Sequence, residues 1–489
     1  MASTVARMNG SPWENPRHAD KPSFVHPDQL RTAFALAMSQ MYRNEVPLYG
    51  DLIRIVQGVN QTVINDASGE PSGPDSLERL TLERHGAIRL GKREELRTVR
   101  RVFSVLGMQS VGYYDLSVAG LPMHATCFRP TDASSLATNP FRVFTTLLRP
   151  ELLRSDQARD LALRLLSKRQ IFSGELLHML DVAEQQDRKL NAEQAETFIR
   201  EALRTFSWAP TAEATYAEYQ VLKAEHPILA DIASFKTAHI NHLTPRTLDI
   251  GSAQRAMCEE GMTAKDRIEG PPARRHPILL RQTSFLALEE PIKFRGGTEA
   301  DADLISGSHK ARFGEIEERG AAVTPKGRAL YDKLLDKAMS QAQNQTPEAV
   351  DVVLNKVFED YPDSWSQLRK EGLVYCQYHF SGRKPSSSDM ENMKDPVLIE
   401  RLVGEGIIET LPITYEDFLP FSAAGIFQSN LHGKSSSEDN HAPTVTPDVS
   451  GLETALGCPI INPDDLYLAV ERKSLELSLV KLRSAMFAT

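Results

Sequence analysis

Residues 85–108 read HGAIRLGKREELRTVRRVFSVLGM. The opening HGAIRL, closed by Gly91, predicts a short strand. The residues that follow place Leu96, Val99, Phe103 and Leu106 on one helical face, and Gly107 supplies a helix stop. Three more strands are predicted from GYYDLSV (112–118), PMHATCF (122–128) and FRVFTTLL (141–148). The run is β-α-β-β-β.

Further along, the pattern recurs with little identity. KTAHINHL (236–243) predicts a strand, and TLDIGSAQRAMCEEGM (247–262) a helix closing on Gly261 and Met262. PILLRQTSFLALEE (277–290) and ARFGEIEERGAAV (311–323) supply later strands. His85 lies 22 residues before Gly107, and His242 lies 19 before Gly261. Neither module closes a core alone, so the expected fold is α+β: two β-α-β-β-β modules pairing into one curved sheet around a shared pocket.

The rest of the 489 residues fits around this duplication. Residues 1–25 read as a disordered tail. Segment 26–150 holds two helices separated by Pro47 and then the first module. Segment 151–227 is a helical insertion and 228–326 the second module. Segment 327–489 is helical and loop-rich. Apolar residues make up 41% and charged residues 25%, the balance of a globular chain. No uncharged apolar run is long enough to span a membrane. A net charge of -9 disfavours nucleic acid and anionic lipid as partners. Cys127, Cys258, Cys376 and Cys458 show neither metal-knuckle nor disulfide-framework spacing, which suits a reducing compartment. A cytoplasmic location is expected, with a mitochondrial or other organelle as the alternative. Oligomeric state is not legible.

Of 13 histidines, His85 and His242 stand out because each opens a module. On strands related by a twofold they would enter the pocket from equivalent places. His239, three residues before His242, would then face the other way. The stretch FGEIEERG offers Glu315 and Glu317 on one strand face. A carboxylate turned inward needs a cation, because a lone buried charge is very costly. Two His and one Glu leave coordination positions open, as in ferrous oxygenases, and the same set fits catalytic zinc. Arg89 shares a strand face with His85, about 13 Å away at ~3.3 Å per residue. A guanidinium there suits the far carboxylate of a small elongated acid, while the plainer reading is a surface salt bridge to a neighbouring acid. HExxH, GxSxG and Walker motifs are absent, and no GxGxxG follows a strand. Metalloprotease, serine hydrolase, P-loop and Rossmann readings therefore lose support.

Five stretches taken in order, RHGAIRLG, INHLTPRTLDI, LLRQTSFLALEEP, ARFGEIEERGAAVTP and LPFSAAGIFQSNL, resemble the 2-oxoadipate dioxygenase/decarboxylase family. The resemblance covers roughly residues 27–480. It implies a vicinal-oxygen-chelate-like core and Fe(2+) held by His85, His242 and Glu315, with Glu317 the fallback carboxylate. It implies Arg89 as the residue that reads the substrate's distal carboxylate. Phe421 and Ser422 are implied to line the closing segment, where the family leads one to expect a smaller apolar residue than Phe421. The implied reaction turns 2-oxoadipate and dioxygen into 2-hydroxyglutarate and carbon dioxide, a step of lysine catabolism. The alternatives are another metal-dependent lyase, isomerase or hydrolase on the same core, or a non-catalytic interaction protein.

Overall fold

The computed structural model describes residues 24–66, 77–296, 304–343, 345–384, 395–419 and 446–487. Nearly all of the expected tail lies outside them, and so does most of 384–393 and 433–448, whose Ser-, Asp- and Pro-rich composition predicts loops.

The strands are β1 (Arg84–Leu90), β2 (Gln109–Asp115), β3 (Met123–Arg129), β4 (Arg142–Leu148), β5 (Thr211–Thr215), β6 (His242–Pro245), β7 (Leu280–Ser284), β8 (Glu289–Arg295), β9 (Ile305–Lys310), β10 (Glu315–Arg319), β11 (Cys376–Phe380) and β12 (Ile408–Pro412). The largest sheet has five strands in the order β2-β3-β4-β1-β6. Its first four strands, with helix Arg93–Val105 between β1 and β2, form the first β-α-β-β-β module. β1 runs parallel to β4 and antiparallel to β6.

Every residue of β3 and β4 is buried. Strands covered on both faces carry this near-continuous apolar pattern. Helix Arg93–Val105 buries Leu96, Val99, Val102 and Phe103. The Phe103 ring lies 5.0 Å from Phe128 on β3 and 6.0 Å from Phe206 at the end of helix Ala192–Phe206. A side chain of this size contributes roughly 1.5–3 kcal/mol when fully buried. Gly107 ends the helix with φ of +70°, a conformation that costs glycine little.

β6 can approach β1 because residue 86 is glycine. A Cβ there would lie 2.5 Å from Ile240 Cδ1 and 2.9 Å from the His242 carbonyl oxygen. The backbone oxygen cannot move aside without breaking the ladder. In that ladder His85 pairs with Thr244, and Ala87 with His242.

The second stretch departs from expectation. Only β6 joins the large sheet; β7 pairs with β10, and β8 and β9 form a three-stranded sheet with β5. One continuous curved sheet is therefore corrected to four separate sheets among the described residues. Residues 236–241 are not a strand. The Ala238 and Ile240 N–H groups donate to the Thr205 and Phe206 carbonyls, both at 3.0 Å. These are carbonyls at a helix C-terminus, which have no partner within their own helix. β2 starts three residues earlier than expected and bulges between Val111 and Tyr113, where Gly112 takes φ of +74°. It stops where Asp115 accepts from the Ser117 N–H and hydroxyl.

The chain divides into two compact units. One draws on Met1–Lys265, Ser284–Ile316 and Pro420–Ile460, the other on Asp266–Thr283, Glu317–Leu419 and Ile461–Thr489. The expected segment 228–326 thus contributes to both. In the second unit Tyr331, Leu334, Leu354, Phe358, Tyr361 and Leu368 share one core. There the long helix Pro463–Phe487 covers β11: the Cys376 N–H donates to Glu471 at 2.8 Å, and the Tyr378 N–H to Ser474 at 3.1 Å. Alternate N–H groups of an edge strand are met by side chains one helical turn apart.

Candidate metal centre and its arginine

Two groups of His and carboxylate come together in the first unit: His85, His242 and Glu315, and Asp231, His239 and His309. All six residues are buried, and within each group the potential ligand atoms lie within 4.8 Å of one another.

The first group is built from three strands. His85 is the second residue of β1, His242 opens β6 and Glu315 opens β10. Directly paired residues of an antiparallel ladder share a face, so the β1–β6 register puts His85, Ala87, His242 and Thr244 on one side. His85 Nε2 lies 3.0 Å from Glu315 Oε2, and His242 Nδ1 lies 3.5 Å from the same oxygen. The Thr244 hydroxyl donates to Glu315 Oε2 at 2.9 Å. Its single proton is then committed, so across the 3.0 Å contact with His242 it accepts the Nδ1 proton. In that tautomer Nε2 is the ring nitrogen that carries no proton. Phe313 stacks on His242 at 4.9 Å and 19°, which fixes the ring plane. Arg142, paired with His85 in the β1–β4 ladder, places Nη2 3.4 Å from His85 Nδ1.

Glu317 is occupied elsewhere: it accepts from Arg319 Nε at 2.9 Å. His239 belongs to the second group, with Nε2 3.1 Å from Asp231 Oδ1. The reason differs from the expected one, since His239 does not lie on a strand.

Arg89 lies four residues along β1 from His85, and its Nη1 donates to Asp231 Oδ2 at 2.6 Å. A salt bridge therefore exists, but it is no surface pair: Asp231 is buried and Arg89 half-buried. Burial alone would raise the Asp231 pKa. The charges of His239 and Arg89, with hydrogen bonds from His239 and His309, outweigh burial and hold it well below the usual carboxylate range. Burial lowers the pKa of His239, and Asp231 opposes that shift. Phe421 and Ser422 lie outside the described residues.

Asp231, His309, Thr244 and Arg142 were not anticipated. Asp231 had a signal: it is the one acid in PILADIAS (227–234), an otherwise apolar helix whose residues from Ile228 on are all buried. An acid in that setting needs a partner.

The profile of the 2-oxoadipate dioxygenase/decarboxylase family matches residues 34–430. The chain belongs to that family. A Pseudomonas putida 2-oxoadipate dioxygenase/decarboxylase is 46% identical over 93% of this chain and 97% of its own length. The Escherichia coli protein of the same name is 46% identical over 91% of this chain and 97% of its own. Among solved structures, the P. putida hydroxyglutarate synthase in complex with 2-oxoadipate superposes with a TM-score of 0.81 at 44% identity, covering 94% of this chain and 99% of the other. This family member thus carries a buried His-His-Glu group and, along the same strand, an arginine held by an aspartate.

Proposed function

We propose that the protein is an iron-dependent dioxygenase/decarboxylase that converts 2-oxoadipate and dioxygen to 2-hydroxyglutarate and carbon dioxide. The observation that carries this is the meeting of His85, His242 and Glu315 with ligand atoms within 4.8 Å, on the strand face that leads to Arg89.

The donor set fits a divalent transition ion. It offers two imidazoles and one carboxylate, and a facial arrangement of that kind leaves positions for substrate and oxygen. Iron, when bound, supplies Lewis acidity and the redox chemistry of dioxygen. The protein's own residues do the rest. Thr244 holds both the Glu315 carboxylate and the His242 tautomer. Phe313 keeps the His242 ring in plane. Arg89 grips the distal carboxylate and so fixes which carbon faces the reaction centre. The atoms balance with one dioxygen per substrate: the carboxyl lost as carbon dioxide leaves its electrons behind, so no second 2-oxo acid is consumed.

The fold supports a duplicated, vicinal-oxygen-chelate-like origin. The β1–β6 register pairs His85 with Thr244, and Ala87 with His242. Any antiparallel ladder has a local twofold; here that twofold exchanges His85 with His242, so the two histidines stand at equivalent positions. The second module has then diverged, giving its β8–β9 hairpin to β5. A cytoplasmic location suits a ferrous ion and four cysteines that form no disulfide. Among the described residues no helix is long and apolar enough to cross a membrane.

The test is anaerobic reconstitution with ferrous iron, followed by an oxygen-electrode trace on adding 2-oxoadipate. One oxygen consumed and one 2-hydroxyglutarate formed per turnover, without added 2-oxoglutarate, is the expected result. Turnover with no oxygen uptake would assign the site to a lyase, isomerase or hydrolase using zinc or manganese.

A further inference from the structure

Arg89 is the visible end of a buried chain of polar groups. Its Nη1 is held by Asp231 Oδ2 at 2.6 Å. Asp231 Oδ1 lies 2.9 Å from His309 Nε2 and 3.1 Å from His239 Nε2. The Tyr219 hydroxyl lies 2.9 Å from His309 Nδ1. Asn241, next to His242, donates to Asp231 Oδ2 at 3.4 Å. Trp208 closes over the group, stacked on His309 at 14° and edge-on to His239 at a centroid distance of 4.7 Å. Asp231, His239 and His309 are 5%, 4% and 3% exposed, so solvent does not compete for these bonds.

The donor types would also suit an ion. The charge argues otherwise: Asp231 already faces the Arg89 cation, and a divalent ion on the same carboxylate would sit against that guanidinium. The arrangement instead serves Arg89. A long, flexible side chain is held at Nη1 by a buried carboxylate, and its planar fork carries several donors in a fixed geometry. A guanidinium pinned in this way stands at a set distance along β1 from the His85 group.

We propose that Asp231, held in turn by His309 and Tyr219, positions Arg89 and thereby sets the length of 2-oxo dicarboxylic acid that the enzyme accepts. This rests on Arg89 reading the distal carboxylate, as above, and adds the device that fixes where it reads. Asp231, His309 and Tyr219 are positioning residues that act through Arg89. If Arg89 were loose, it could follow the carboxylate of a shorter or longer acid; pinned, it penalises a chain wrong by one methylene, a mismatch that well-formed sites discriminate by about 10- to 200-fold.

The experiment compares iron-loaded wild type, Asp231→Asn, Tyr219→Phe and Arg89→Ala. Steady-state kinetics use 2-oxoglutarate, 2-oxoadipate, 2-oxopimelate and the monocarboxylic 2-oxohexanoate, and metal content is measured in parallel. Asp231→Asn is expected to raise KM for 2-oxoadipate and to lower its kcat/KM advantage over the five- and seven-carbon acids by about 10-fold, with metal content unchanged. Tyr219→Phe should shift the same ratio in the same direction by a smaller factor. Because the ratio does not depend on the folded fraction, a merely structural role would leave it untouched. Uniform losses across the three dicarboxylic acids in both variants would overturn the proposal. So would loss of bound metal in Asp231→Asn, which would make the group an ion site. Should Asp231→Asn not fold, the Tyr219→Phe ratio decides alone. If Arg89→Ala spares 2-oxohexanoate while Asp231→Asn leaves the length ratio unchanged, only this proposal falls. If Arg89→Ala harms 2-oxohexanoate as much as 2-oxoadipate, the reading of Arg89 itself falls.

Discussion

The first unit holds two buried groups built from the same parts, two imidazoles and a carboxylate, yet they are wired differently. Glu315 meets His85, His242 and the Thr244 hydroxyl. Asp231 meets His239, His309 and the Arg89 guanidinium. A buried carboxylate must be neutralised, and the two groups do so in different currencies. Asp231 has a covalently tethered cation that arrives with folding. Glu315 sits where an ion can enter against two nitrogens. Donor type alone does not separate a metal centre from a structural relay; the partner that supplies positive charge does.

The sharpest way to break this comparison is to delete carboxylates and imidazoles one by one. Glu315→Ala, His85→Ala and His242→Ala should each abolish stoichiometric iron binding and lower activity by about 1000-fold or more, since a metal centre supplies several kcal/mol at ~1.4 kcal/mol per decade. Metal analysis and circular dichroism on the same samples check this. Iron retained in Glu315→Ala would remove the distinction between the groups.

Arg89→Ala is expected next in size. A charge-assisted contact contributes roughly 1.5–3 kcal/mol, so kcat/KM for 2-oxoadipate should fall about 10- to 100-fold. Iron content should not change, and 2-oxohexanoate should lose far less. Arg89→Lys should rescue poorly, because an ammonium lacks the planar fork.

Thr244→Val sharpens the comparison from the side of the first group. It keeps the shape and removes the hydroxyl that holds Glu315 and the His242 tautomer. Iron affinity measured by competition with a chelator should drop by about 10- to 100-fold, while the length selectivity attributed to Arg89 should hold.

The smallest effect is expected at His226, which caps the helix Pro227–Ser234 that carries Asp231. Its Nδ1 accepts from the Ile228 N–H at 3.1 Å. Burial, and then the charge of Arg89, lower its pKa below the ordinary 6.5. An unfolded His titrates near 6.5, so just below that pH the unfolded chain binds more protons than the folded one. The stabilisation is therefore complete above about 6.5 and declines as pH falls through the lowered folded value. His226→Gln, whose amide oxygen accepts at any pH, should flatten this part of the decline in urea unfolding by up to about 1 kcal/mol.

The fold was legible where local period and burial agree. Strand Arg142–Leu148 matches FRVFTTLL to within a residue of each end, and helix Arg93–Val105 stops two residues before Gly107. It was illegible where a backbone found an unusual partner. Residues 236–241 have the composition of a strand, but the Ala238 and Ile240 N–H groups go to helix-end carbonyls. β5 reads TAEAT, with no bulky apolar residue to mark it, and becomes a strand because β8 lies beside it. Parity places His85 and Arg89 on one face of β1, and the β1–β6 register brings His242 to that side; Glu315 arrives on β10, in another sheet, which parity did not foresee. Parity could not separate Glu315 from Glu317, which share a face by rule; the pairing of Glu317 with Arg319 separates them. The relay behind Arg89 was invisible because its members, Tyr219, Asp231 and His309, come from two helices and a strand that only the tertiary fold brings together.

The close approach of β6 to β1 at Gly86 has a kinetic consequence. Ala87 and His242 are ladder partners across 155 residues of chain, so closing that loop costs more entropy than any hairpin in the molecule, and such contacts form late. His85 and His242 meet only when this ladder forms. During refolding, the ability to capture an ion should consequently lag behind the recovery of helical signal, and metal uptake becomes a clock for the completion of the sheet.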